Sequence, residues 1–421
     1  MVISRSEVRV KIERDVIRNP LGQSSMRTTF RPFVVAGCGF LLFVQLAYFG
    51  MAYPRAVRGR ADFCMLYTAG FMVRTGHAAE LYDYDSNAKF QTEVVSPSHG
   101  AMPFNHLGYE ALLFVPLSLL PYRAAYKVFL TVNLGLILLS FRMLRAGTTR
   151  LQKIWSWLPA MVFACFLPTG IALFQGQDSI LLLTLLVCSF VATERSDDYR
   201  AGIFLGLTVF KFQFGIPIAL LFLAWQKWRI VSTFVLTAVT AVVTSVALSG
   251  FSGFLTYPTY LLSMSAGLTT SGEQLRYGTY PLAMPNIFGL LFAVAAGNHT
   301  VIAVIISCIL IALASRSRPS FPLAVTVAML VSYHGLIHDA TILIIPILWF
   351  AESALRHERR SLPQIWASAG VFIYPSLAVS AMLPYCLLAL PVMGFLIAPE
   401  SKRRNVSEDF SESRLGTTVP L

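Results

Sequence analysis

Residues 33–53 read FVVAGCGFLLFVQLAYFGMAY and residues 58–63 read RGRADF, and the junction between them decides how the chain is read. The first run (Phe33–Tyr53) is apolar and free of charge over the ~20 residues that a helix needs to cross a hydrocarbon core of about 30 Å. The second places Asp62 just beyond that segment, beside Arg58 and Arg60. A carboxylate held where a membrane helix meets water is expensive to keep without a task. It can accept a proton from a hydroxyl while the arginines hold a phosphate. The structural alternatives for Asp62 are a helix cap or a salt bridge to Arg58 or Arg60.

Composition sets the class. The chain has 421 residues, 56% hydrophobic and 13% charged, with a mean hydropathy of +0.64. No soluble fold of this size buries that much apolar surface, so lipid must solvate it. The apolar runs are continuous rather than alternating, which indicates helices and not a closed barrel. The expected fold class is an all-α polytopic membrane protein. The first segment is too long for a removed signal peptide and lacks a small-residue cleavage site after it.

The net charge of +12 does not indicate nucleic acid. Of the 33 Lys and Arg residues, 24 fall in seven blocks: Arg5–Arg31, Arg142–Lys153, Arg195–Arg200, Lys227–Arg229, Arg316–Arg318, Arg356–Arg360 and Lys402–Arg414. This is the positive-inside pattern, with some attraction to anionic membrane lipids. If every block is cytoplasmic, the chain crosses an even number of times between neighbours. Arg200 to Lys227 must then hold two short crossings, Ala201–Phe210 and Phe214–Trp225, turning near Lys211-Phe212-Gln213. The alternative is one tilted helix with a buried lysine. Arg318 to Arg356 repeats the pattern around His334–Asp339. Half-length helices of this kind need protein or a wet cavity over their ends.

The expected tally is about 12 transmembrane helices with both termini inside. Residues 1–32 form a basic cytoplasmic tail, 33–398 the transmembrane domain, and 399–421 a disordered cytoplasmic tail. Two long outer segments remain, about 54–123 and 251–298. The first ends in Leu107–Pro121, an apolar stretch expected to lie as a helix on the membrane surface. In the second, Pro285–Ala296 is expected to dip back into the bilayer. Of the histidines, His77, His99, His106, His299, His334 and His338 fall on the outer face, as do Lys211, Gln213, Asp339 and the turn Phe174–Asp178. An unpaired ammonium in an apolar stretch costs roughly 2.5–3.5 kcal/mol on insertion, which singles out Lys211. No ligand spacing of a recognised metal motif occurs, so neither a metal nor a cofactor is expected.

These residues resemble the GT-C superfamily of membrane glycosyltransferases, and specifically glycosyltransferase family 87. The likeness is carried by Asp62-Phe63 with Tyr67–Gly70, by Leu81-Tyr82-Asp83, and by Pro103-Phe104-Asn105-His106 leading to Leu120-Pro121-Tyr122. It continues through Phe174-Gln175-Gly176-Gln177, Lys211–Gly215, Met284-Pro285-Asn286 and Ser332–Asp339. The resemblance implies a polyprenyl-phosphate sugar donor (mannose or another sugar) and a glycolipid or glycan acceptor. It places the reaction on the outer face of a bacterial inner membrane. It implies Asp62 as the general base, with Arg58, Arg60 and Lys211 at the donor phosphate. Tyr82, Asp83, His106, Gln175, Gln177, Gln213, Asn286, His338 and Asp339 are the candidate substrate contacts. His338-Asp339 reads equally as a proton relay, a sugar contact or a structural pair. A transporter or lipid flippase is the other class compatible with broken helices and polar groups between them.

Overall fold

The computed structural model describes residues 20–96, 102–265, 280–294, 299–356 and 362–397. The two tails as far as residues 19 and 398, His99, and parts of the second outer segment (266–279, 295–298) lie outside the described residues. Among the described residues the chain is helical throughout, with no strand. Five helices are long and apolar enough to cross a membrane, or six if the bent pair Leu158–Cys165 and Leu167–Gln175 counts as one span.

That bend of 52° has a local cause. Pro168 has no N–H to donate to the carbonyl four residues back, at Ala164. The side chain of Gln45, from the first long helix, supplies the missing donor at 2.6 Å. A polar residue inside an otherwise apolar span thus satisfies a carbonyl that the helix break exposes.

By length, Asp198–Ala224 suffices for one span, but its contacts fold it back on itself. Ser189, near the end of Ser179–Glu194, donates to Ala201 at 2.8 Å, while Lys211 Nζ reaches Ser179 Oγ at 2.9 Å. The first limb, Asp198–Gly206, therefore runs antiparallel to Ser179–Glu194. Phe222 then packs on Phe321, which also meets Phe190. The second limb, Phe212–Ala224, has returned to the end where the first began. The turn between them is the short 3-10 stretch Leu207–Lys211. A second hairpin rises along Phe321–Val331 and returns along Ile344–Ala354, so that Trp349 also lies against Phe190. At 1.5 Å per residue the limbs extend only about 13–20 Å, short of a ~30 Å hydrocarbon core. The turns at Lys211 and His338 are consequently recessed beside one another and need partners for their polar groups.

The stretch 107–121 corrects one expectation. It is not a single surface helix but three short pieces, Gly108–Glu110, Ala111–Phe114 and Leu117–Leu119. Leu112, Leu113 and Leu119 face outward, whereas Gly108, Glu110, Ala111 and Phe114 are buried. Pro116 cannot continue an i→i−4 ladder, and the break lets one side of the segment turn inward.

At the opposite end, buried Glu352 fastens the second hairpin to the short helix Thr149–Ile154. Its carboxylate accepts from Arg150 N and Leu151 N at 3.0–3.1 Å and from Thr149 Oγ1 at 3.3 Å. Glu352→Ala leaves those donors unsatisfied and is expected to cost about 2–3 kcal/mol. The readout is the melting temperature of detergent-purified protein, with Glu352→Gln, which keeps one acceptor oxygen, falling less. An unchanged melting temperature in the alanine variant would refute the fastening role.

Candidate functional site

Above the two recessed turns lies an open cleft. Its walls include Met65, Asn105, His106, Gln177, Phe210, Lys211, Phe212, Gln213, Leu261, Tyr333, His334, His338 and Asp339. They come from six separate parts of the chain, and two backbone features set their aim. Gly59, at φ 84°, ends the first long helix in a π-turn and redirects the chain toward Asp62. Gly176, at φ 61°, caps Leu167–Gln175 in the left-handed conformation. Both angles strain any residue with a Cβ.

Asp62 occupies the N-cap position of Phe63–Arg74, yet its side chain makes no capping bond. Gln177 Nε2 instead donates to its Oδ2. The carboxylate is 7% exposed. Met65, three residues on and therefore on the same helix face, lines the cleft together with Gln177.

The cleft floor is an ion network. Lys211 Nζ lies 2.8 Å from Asp178 Oδ1, 2.5 Å from Asp339 Oδ1 and 2.9 Å from Ser179 Oγ. Ser179 Oγ and Asp339 Oδ1 accept hydrogen bonds from the ammonium, and Asp178 Oδ1 holds it as an ion pair. Ser179 Oγ donates in turn to Asp339 Oδ1 at 2.7 Å, and Asp339 Oδ2 accepts from Leu336 N at 3.0 Å. Behind the wall, His106 Nδ1 sits 2.5 Å from Glu110 Oε2 and 3.1 Å from Asp178 Oδ2.

Burial and charge compete at each titratable group. Burial pushes the Glu110 carboxyl up, to about 8, with Asp178 adding to the shift and His106 opposing it. Burial works against a charged His106, but Glu110 and Asp178 outweigh it and raise its pKa. Burial opposes ionisation of Asp339 as well, and Lys211 and His338 overrule it to hold the acid below the usual carboxylate range. Burial pushes His338 down to about 4, so its ring is neutral, 3.6 Å from Asp339 Oδ2.

The structure brings His106, Gln177, Lys211, Gln213, His338 and Asp339 to one cleft. Gln213 donates to His334 O at 3.1 Å, tying the two turns together. Other candidates sit elsewhere. Asp83 is exposed and caps the helix Tyr84–Val94 through Ser86 N. Asn286 uses both ends of its amide on backbone, donating to Ser332 O and accepting from Gly289 N. Tyr82 is buried with its hydroxyl on His106 O at 3.1 Å, and so supports the wall from behind. Gln175 is half-buried outside the cleft lining. Arg58 and Arg60 are exposed on the turn preceding Asp62. Sequence reading passed over Glu110 and did not pair Asp178 with Lys211. The i,i+4 spacing of His106 and Glu110 was the available signal.

Helices of membrane-spanning length around a recessed, charged cleft define a membrane protein with a buried polar site. The chain belongs to glycosyltransferase family 87, whose model matches residues 110–337, more than half of the sequence. It is thus a membrane glycosyltransferase. Searches of the curated proteins and of the solved structures each return no match.

Removing Lys211 alone leaves two buried carboxylates facing each other, at a cost of about 3–5 kcal/mol. Lys211→Met is therefore expected to lower the melting temperature sharply, and adding Asp339→Asn to recover part of the loss. Simple additivity of the two single changes in thermal unfolding would contradict the pairing.

Proposed function

We propose that this cleft moves a sugar from a polyprenyl-phosphate donor to a hydroxyl of a lipid or glycan acceptor, with Asp62 as the general base. The observation that carries the reading is the state of Asp62. It is buried, and Gln177, which lines the cleft, holds one of its oxygens where a helix cap would have turned the side chain to backbone. An ionised carboxylate only accepts hydrogen bonds, so the acceptor hydroxyl is a suitable partner.

In the proposed step the acceptor oxygen bonds to the anomeric carbon as its proton passes to Asp62. The bond from that carbon to the phosphate oxygen breaks with inversion, and polyprenyl phosphate leaves. The leaving phosphate needs positive charge where its own charge grows. Lys211 has its donors committed to Asp178, Asp339 and Ser179, so direct phosphate contact is assigned to Arg58 and Arg60. Lys211 keeps the cleft floor in place. His106, Gln213, His338 and Asp339 are assigned to the sugar hydroxyls, with Gln175, Tyr82, Asp83 and Asn286 acting from outside the cleft. Twelve crossings, cytoplasmic termini and a site on the outer face of a bacterial inner membrane complete the proposal. The support for this topology is the placement of the basic blocks and the two recessed hairpins.

Positioned general bases contribute about 10²–10⁴-fold. Asp62→Asn should lose that much transfer, read as free polyprenyl phosphate released from a panel of polyprenyl-phosphate sugars by mass spectrometry. Its elution profile and melting temperature should match the parent protein. Transfer at the parental rate would sink the base assignment.

A further inference from the structure

The side-chain cluster behind the cleft wall holds three acids and two basic groups. Glu110, Asp178 and Asp339 bring three formal negative charges, and Lys211 returns one positive charge through its contacts with Asp178 and Asp339. His106 faces both Glu110 and Asp178 with the same ring nitrogen. Balance among these groups takes one proton on His106 and one on Glu110, in an interior where Glu110 and Asp178 are fully buried and His106 and Asp339 nearly so. Glu110 Oε1 and both oxygens of Asp178 are buried with no hydrogen-bond partner among the described residues, the Asp178 oxygens being met as ion pairs by Lys211 and His106. Unsatisfied acceptors are costly in such a place.

We propose that His106, Glu110 and Asp178 form a buried divalent-cation site in the wall of the cleft. Their donor atoms lie within 4.8 Å of one another. One cation of charge +2 takes the place of those two protons, with Nδ1 of a neutral His106 as the nitrogen ligand and one oxygen from each carboxylate. Ligand atoms about 2.0–2.2 Å from a common centre stand roughly 3 Å or more apart. The His106–Glu110 approach of 2.5 Å therefore opens by on the order of half an ångström on binding. One imidazole and two carboxylates suit Zn²⁺ or Mn²⁺ better than a hard cation such as Ca²⁺. Asp178 follows Gln177 directly, so an ion here stiffens the turn that aims Gln177 at Asp62.

The test is a binding measurement, independent of whether the transfer reaction is correctly assigned. Full-length protein in detergent is stripped with EDTA, dialysed and titrated with MnCl₂ while free Mn²⁺ is followed by EPR, with ZnCl₂ as competitor. One saturable site per chain is expected, weakened by about tenfold or more in Glu110→Gln and in Asp178→Asn. Glu352→Gln, a buried carboxylate elsewhere, should bind as the parent does. The parent titration decides the matter even where a variant fails to fold. Absence of saturable binding of either ion, or undiminished binding in a folded Glu110→Gln protein, overturns the site.

Discussion

The fold depends on one buried ammonium. Lys211 stands at the turn of a hairpin with short limbs, and its charge is met there by Asp178 and Asp339. The desolvation of such ions costs several kcal/mol each, offset only by close geometry and full hydrogen bonding. Asp339 meets both conditions, its Oδ1 accepting from Lys211 and Ser179 and its Oδ2 from Leu336 N, while Asp178 holds the ammonium by close ion-pair geometry. The network joins the start of Ser179–Glu194 and the turns of both hairpins. Three segments far apart in sequence thereby share a floor.

A single short turn links this floor to the proposed base. Gly176 ends one helix in a left-handed conformation, Gln177 reaches Asp62, and Asp178 reaches Lys211 and His106. A shift in the floor is thereby passed to the carboxylate within two residues. The position of Asp62 is set twice, by the break at Gly59 on its own strand of chain and by this turn across the cleft. Such support from a second layer holds a reacting group within the narrow geometry that catalysis demands.

Much of this was legible in hydropathy and charge. The bilayer class follows from continuous apolar runs, and a turn near Lys211–Gln213 is expected from reading every basic block as cytoplasmic; the structure has a 3-10 turn at Leu207–Lys211. Asp62 stands out because a carboxylate at that place is costly. The partnerships were not legible, because they join residues distant in sequence. Nothing local marks Asp178 as the partner of Lys211, or Gln45 as the donor that replaces the N–H missing at Pro168. Glu110 was hidden within an apolar stretch whose leucines do face outward, while its own side turns in. Asp83 shows the opposite case. An Asp followed three residues later by Ser at a helix start fits a cap, and family likeness drew it toward the substrate instead.

The account stands on the cleft being where the donor lipid binds. Its most direct test is photo-crosslinking with a diazirine-bearing polyprenyl phosphate, followed by peptide mapping. Labelling should concentrate on the apolar lining, at Met65, Phe210, Phe212, Leu261 and Tyr333, and should fade when unlabelled polyprenyl phosphate competes. Labelling confined to lipid-facing helices such as His299–Ser315, unaffected by competitor, would contradict it.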